Sequence, residues 1–326
     1  MIISRTPVRM SFFGGGTDFP EFYNEYSGSV ISTTFDKYCH VNVQHLPQGI
    51  FDYKNLLSYA QIEKVDSVDE IRHPAIREAM KWLGLDRICL NYDADLPART
   101  GLGTSSSFSV GLLNAFYTLQ GIRKSKRELA DDAIHLERFL CREDGGVQDQ
   151  IAAAFGGFNR IDFSKDGYKV TPIDFSQERK DSLNNNLMLF YTGLSRYSFQ
   201  VQKSTKEMLG KRTAELLEIL KMVDEAEKIL VNPTSSLDDF GLMLNETWKL
   251  KRSISNKISS DFIDELYIKA INSGALGGKL LGAGGGGCLL FYVPEEKQES
   301  VRKAFDGFFE IKFRFENEGT QIICDK

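Results

Sequence analysis

Apolar and polar positions change rhythm several times along this chain. Runs of strand character, Ile2 to Arg9 and Val30 to Val43, come before two segments of helical period, Ser105 to Gln120 and Lys126 to Leu140. In the first of these segments Phe108, Leu112, Phe116 and Leu119 recur at three- and four-residue spacing, which predicts one buried face and an amino end anchored against the core. From Phe163 to Asn186 the chain is polar, charged and rich in turn signals, with little helical periodicity. A domain boundary is expected there, dividing the chain into residues 1–178 and 179–326. Beyond it the strand-like "LMLFYTG" leads into helices predicted over about Phe199 to Leu230, Leu237 to Ser255 and Ser260 to Ser273, then into a glycine-rich segment between short strands. Strands and helices in both halves predict an α+β fold.

Composition narrows the classes of function. A length of 326 residues suits two lobes of ordinary size with a cleft between them. The 40 Lys and Arg against 45 Asp and Glu, with no long basic run, argue against an extended nucleic-acid or membrane footprint and leave room for a compact anion. Cys39, Cys89, Cys141, Cys288 and Cys324 are scattered and never form a CxxC pair, as expected of reduced thiols in the cytoplasm. No stretch has the length of a membrane span. His40, His45, His73 and His135 have no metal-ligand spacing.

The stretch "LPARTGLGTSSSFSVGLL" carries the clearest chemistry. Gly101 and Gly103 free the backbone for positive φ and for close approach to a ligand; Leu102 lies between them, and Thr104, Ser105, Ser106 and Ser107 follow. The predicted helix begins at those hydroxyls. Its unpaired N–H groups and partial positive charge would suit phosphate oxygens, although a loop followed by a well-capped helix reads the same way. Two familiar phosphate motifs are excluded. No GxxxxGK[ST] occurs, and "GAGGGG" at 282–287 runs into the strand-like "CLLFYV", whereas a dinucleotide fingerprint needs a helix there. That second glycine loop is expected to be a tight turn walling the site. The HRD signature of protein kinases is absent.

Three stretches, "TPVRMSFFGGGTDF", "LPARTGLGTSSS" and "KLLGAGGGGCLLF", resemble in sequence and order the GHMP family of sugar and mevalonate kinases. The resemblance spans Thr6 to Phe291. It implies a two-lobed fold, with an amino domain like ribosomal protein S5 domain 2 and a ferredoxin-like carboxyl domain. It also implies ATP as phosphoryl donor, its phosphates at the 101–107 turn, and Mg2+ beside them. Within the family, "SFFGGGTDFPEFY", "ERFLCREDGGVQDQIAAAFGGFN" and "LFYTGLSRYS" are most similar to bacterial heptose 7-phosphate kinases, which phosphorylate an anomeric hydroxyl.

Roles carry over by position in those motifs. Asp149 in "GGVQDQ" matches the family's catalytic aspartate, and Arg9 the basic residue facing the transferred phosphate. Ser105 and Glu137 match the magnesium ligands. Gly15, Gly16, Thr17 and Asp18 match the turn that receives sugar hydroxyls, and Gly284 and Gly285 in the second glycine loop are expected to border the acceptor. For an acceptor's own phosphate Arg196 is the first candidate, since a guanidinium can grip phosphate through two bonds. Lys251 and Arg252 are held in reserve, and Tyr191, Tyr197 and Phe199 are candidate pocket aromatics. The expected partner is a small sugar phosphate, with no nucleic acid or membrane involved; the oligomeric state is not set by the sequence. Three alternatives stay open: an anomeric kinase for a free sugar such as fucose or galactose, a sugar- and ATP-binding regulator without turnover, and an RNA-binding module on an S5-like fold.

Overall fold

The computed structural model describes residues 1–98, 100–194 and 198–326, without the side chains of residues 198–200, 202, 205 and 209. The first half runs β1 (Ile2–Phe13), α1 (Pro20–Tyr26), β2 (Gly28–His45), β3 (Asn55–Ser58), β4 (Ile62–Val65), α2 (Pro74–Leu83), β5 (Ile88–Ala94), α3 (Thr104–Leu119), α4 (Lys126–His135), α5 (Gln148–Phe155), β6 (Phe158–Ser164), β7 (Gly167–Pro172) and α6 (Gln177–Asn185). Then follow β8 (Leu187–Tyr191), α7 (Ser198–Met208), α8 (Thr213–Val231), α9 (Asp238–Ile254), α10 (Asp261–Asn272), β9 (Gly277–Leu280), β10 (Cys288–Tyr292), α11 (Gln298–Ala304), β11 (Phe309–Glu310), β12 (Phe315–Glu316) and β13 (Gln321–Asp325).

Among the described residues two sheets form. The larger has the order β13-β1-β2-β5-β3-β4, with β6 and β12 also on β2 and β7 on β6; the smaller is β11-β8-β10-β9. β1 and β2 pair antiparallel over nearly their whole length, and their register shifts at Pro7/Val8 and Ser11/Phe13. Proline has no N–H to give a ladder, so a break beside Pro7 is physically expected. The division proposed at 178/179 falls inside α6, and β12 and β13 return to the sheet of the first half.

α3 is buried on nearly every side, not on one face as its periodicity suggests, because β1, β2, α4 and α5 all pack against it. An apolar cluster continues from one half into the other. Phe12 and Phe13 at the end of β1 meet Phe240 of α9 edge-on at 5.3 and 5.0 Å, and Phe35, Val223 and Leu244 complete the seam. Burial of three such rings, each worth about 2 kcal/mol or more, fixes the wall of the cleft above them.

Some predicted boundaries move. The single helix expected over Phe199 to Leu230 is two, α7 and α8, separated by a 3-10 turn at Leu209–Lys211 that contains helix-breaking Gly210. The helix expected to reach Leu140 ends at His135 and passes into a π-turn over Leu136–Leu140. The polar passage after Phe163 holds the β6–β7 hairpin and α6. The second glycine loop does join two antiparallel strands, β9 and β10.

Candidate active site

The site lies where β1 meets the amino ends of α3 and α5. Its two glycine loops lean on each other. Gly101 (φ +79°) and Gly282 (φ +73°) sit so close that a Cβ on Gly101 would come 2.4 Å from the Leu281 carbonyl oxygen and one on Gly282 2.6 Å from the Gly101 Cα. Only glycine allows both the left-handed backbone and this approach. Cys288 N–H donates to the Thr100 carbonyl at 2.9 Å and locks the loops together.

Arg9, only 4% exposed, occupies the centre. Its Nε and Nη2 donate to Asp149 Oδ1 and Oδ2 at 2.7 and 2.6 Å, and its Nη1 donates to the Gly101 carbonyl at 2.7 Å. Asp149, in the first turn of α5, is a quarter exposed and faces the cleft. This ion pair divides two concave spaces, because Arg9, Asp149, Gly146, Gly282 and Ala283 line both.

The first space is lined by Ser11, Gly15, Gly16, Asp18, Lys251 and Lys279. Asp18, 2% exposed, accepts from the Gly16 N–H at 3.0 Å and the Gln148 N–H at 3.4 Å. Burial is the main cause pushing its carboxyl pKa up, with the Asp149 charge adding to it and the N–H groups opposing. Lys251 donates to the Gly282 carbonyl at 2.6 Å and Lys279 to the Phe12 carbonyl at 2.7 Å. Burial, then the charge of Arg9, pushes the Lys251 ammonium down to about 8. Burial, then the cations of Lys251 and Arg9, also pushes the Lys279 ammonium well below its ordinary range.

The second space opens at the start of α3 and is lined by Gly103, Thr104, Ser105, Ser106 and Glu137, among others. The residue before the helix is Gly103, with φ +74° and no side-chain cap, so the first-turn N–H groups lack a side-chain partner. Glu137 projects inward from the π-turn and is 5% exposed. Its Oε2 accepts from Ser106 Oγ at 3.0 Å and from Gln150 Nε2, while its Oε1 has no hydrogen-bond partner of good geometry among the described residues. Burial, followed by the Glu143 charge, raises its carboxyl to about 7. Among the described residues no three His, Cys, Asp or Glu cluster as a metal site.

The structure thus brings Arg9, Asp149, Asp18, Gly15, Gly16, Glu137 and the 101–106 turn together. Several expected contacts lie elsewhere. Thr17 is sealed into its own loop, its Oγ1 donating to the Gly14 and Ser29 carbonyls at 2.8 and 3.0 Å. Ser107 Oγ donates to the Pro7 carbonyl at 2.8 Å, and Leu102 is core. Gly284 and Gly285 pack on Ile258, whose carbonyl takes the Gly285 N–H at 2.9 Å; Gly282 and Ala283 line the cleft in their place. Ser105 is exposed, and Ser106 is the hydroxyl that meets Glu137. Arg252 pairs with Asp264. Arg196 and Tyr197, and the side chain of Phe199, lie outside what is described. Lys279, Ser11 and Gln150 are site residues that sequence reasoning missed. Lys279 had a signal, since it stands three positions before the second glycine loop inside an otherwise small and apolar run.

Comparison with known proteins places the chain in a family. Residues 71–157 match the GHMP kinases N terminal domain and residues 211–311 the GHMP kinases C terminal domain. A D-glycero-alpha-D-manno-heptose 7-phosphate kinase of Campylobacter jejuni subsp. jejuni is 30% identical, with 98% of each chain covered. The chain belongs to the GHMP kinase family. It is a sugar kinase of that family, and ATP is its phosphoryl donor. A bifunctional fucokinase/GDP-fucose pyrophosphorylase of Arabidopsis thaliana is 25% identical over 95% of this kinase and 32% of its own length. The fold matches the crystal structure of a D-glycero-D-manno-heptose 1-phosphate kinase from Bacteroides thetaiotaomicron at a TM-score of 0.74 and 23% identity, with 99% of each chain covered. No described helix is long and apolar enough to cross a membrane.

Proposed function

We propose that this kinase transfers the γ-phosphoryl group of ATP, with Mg2+, to the anomeric hydroxyl of D-glycero-D-manno-heptose 7-phosphate, giving the 1,7-bisphosphate for nucleotide-activated heptose synthesis. The observation that carries this reading is the Arg9–Asp149 pair at the partition between two lined spaces, one ending at a helix amino terminus and the other at a buried carboxylate. On this reading ATP phosphates rest on the uncapped N–H groups of α3 and on the 101–106 turn, a favourable site for anions. The sugar lies in the other space, with hydroxyls donating to Asp18. Asp149 orients the anomeric hydroxyl and accepts its proton late, as the hydroxyl oxygen bonds to the γ-phosphorus and the bond to the ADP oxygen breaks. Arg9 meets the charge that develops on the transferred group.

Glu137 fits a magnesium role. A carboxylate only 5% exposed, with one oxygen unpartnered among the described residues and the other held by Ser106 and Gln150, is stabilised in its charged form by a nearby cation. Mg2+ favours few protein oxygens together with nucleotide phosphates and water, so Glu137 with an α3 hydroxyl such as Ser105 suffices. When bound, the ion neutralises charge on the β- and γ-phosphates.

The fucokinase relative favours one second reading, an anomeric kinase of an unphosphorylated sugar. The test is ADP release with ATP and Mg2+ across D-glycero-D-manno-heptose 7-phosphate, mannose, fucose, galactose and mevalonate. Turnover confined to the heptose phosphate is expected. Preference for a free sugar overturns the substrate, and no turnover with any acceptor overturns the proposal as a whole.

A further inference from the structure

Two lysines of the acceptor space, Lys279 buried and Lys251 partly so, have no acidic ion-pair partner among the described residues. Lys279 is 2% exposed and Lys251 is partly buried, and each donates to a backbone carbonyl, of Phe12 and Gly282 respectively. Among the described residues neither forms an ion pair with a carboxylate. The two carboxylates of that space are engaged otherwise, Asp149 by the guanidinium of Arg9 and Asp18 by backbone N–H groups. Arg9, Lys251 and Lys279 therefore face Asp18 and Asp149, an excess of positive groups in one enclosed space. Burying a lysine without a counter-charge is costly, and an apolar side chain of the same length would avoid that cost. Both amines line the acceptor space, and neither lines the one at the start of α3.

We propose that Lys251 and Lys279 together anchor a phosphomonoester carried by the acceptor itself, distinct from the phosphoryl group being transferred. The proposal rests on the reading of a phosphorylated acceptor and names the residues that recognise it. A dianion between the two amines supplies the counter-charge the protein omits. It also offsets the burial and the neighbouring cations, Arg9 for Lys251 and both Lys251 and Arg9 for Lys279, that push the two ammonium groups down. Arg9 stays committed to Asp149 and the Gly101 carbonyl, so it is left to the reacting end.

The test compares two acceptors in three proteins. Wild type, Lys251→Met and Lys279→Met are assayed at saturating ATP with D-glycero-D-manno-heptose 7-phosphate and with the same heptose lacking phosphate. We expect wild type to prefer the phosphorylated sugar, and each substitution to remove about tenfold or more of that preference through KM, as loss of a charge-assisted contact should. The loss on the free heptose should be clearly smaller than the loss on the phosphorylated one, and Lys251→Arg should restore much of the preference. A preference that survives both methionine variants, or equal losses on both acceptors, overturns the anchor alone. A wild type without the preference overturns the phosphorylated-acceptor reading, and the anchor with it. Melting curves check folding of each variant. Should a variant not fold, the wild-type preference itself is followed against pH. Lys251 faces Arg9, Lys279, Asp18 and Asp149, and the preference must decline as pH rises through about 8, where the empty site loses its proton. A preference that stays flat across that range overturns the anchor.

Discussion

Replacing Gly146 by alanine isolates the part played by Asp18. A Cβ at Gly146 would lie 1.8 Å from Asp18 Oδ2 and 2.4 Å from its Cγ. Gly146 is not among the residues with positive φ, so alanine suits the backbone and the overlap with Asp18 is the substitution's first effect. Reaching even a 3.0 Å contact requires the carboxylate to retreat by roughly 1.2 Å, which draws it away from the Gly16 and Gln148 N–H groups. Hydrogen bonds to a charged group are worth about 1.5–3 kcal/mol, so acceptor kcat/KM should fall by roughly ten- to a hundredfold. Overpacking should also lower stability by about 1–3 kcal/mol. Steady-state kinetics with acceptor and ATP varied in turn, alongside a melting curve, separate the two effects. The ATP KM should change less than the acceptor kinetics, because the overlap falls on Asp18, which lines the acceptor space alone. A folded Gly146→Ala enzyme with unchanged acceptor kinetics would refute the assignment of Asp18 to the acceptor.

Asp149→Asn keeps a side chain of the same shape against Arg9 but removes the proton acceptor; kcat should drop by about 10²-fold or more while ATP binding, measured by calorimetry, persists. Arg9→Lys keeps the charge but not the fork that spans Asp149 and the Gly101 carbonyl, and kcat/KM should fall by about 10²-fold. Gly101→Ala forces a side chain into φ +79° and to 2.4 Å from the Leu281 carbonyl, so a loss of about 2 kcal/mol or more in urea unfolding is expected. The folded-state Lys251 ammonium titrates near 8, below its ordinary 10.5, so between those values the unfolded chain binds more protons and this group adds stability as pH rises. Urea unfolding of wild type relative to Lys251→Met should therefore shift in favour of wild type across that window, and a shift of the opposite sign would contradict the burial of that amine.

Much of this site is legible in the chain because its backbone demands are severe. Gly101, Gly103 and the hydroxyl run announce a helix start that the backbone can bring close to a ligand, and the triple glycine before Thr17 and Asp18 announces a tight turn. What stayed hidden depends on rotation and register. Four consecutive hydroxyls sweep around the start of α3, so sequence does not say that Ser106, and not Ser105, meets Glu137. The inward aim of Glu137 comes from the π-turn over Leu136–Leu140, which has no mark in a pattern read at 3.6 residues per turn. Thr17 looks like a ligand in sequence, yet its hydroxyl closes its own loop. Among the described residues Lys279 pairs with no acid, and its place in the cleft follows from the β9–β10 register and the Phe12 carbonyl, a contact between residues far apart in the chain. The split of the long helix into α7 and α8 had only Gly210 as its signal.

The central claim is transfer to the anomeric oxygen of a sugar that already carries a phosphate. Phosphorus–proton correlation spectroscopy on the product of D-glycero-D-manno-heptose 7-phosphate, ATP and Mg2+ tests it most directly. The account predicts a second phosphomonoester signal coupled to the anomeric proton, formed in step with ADP, while the first phosphate stays on carbon 7. A new phosphate on any other carbon, or ADP formed without a second sugar phosphate, would contradict it.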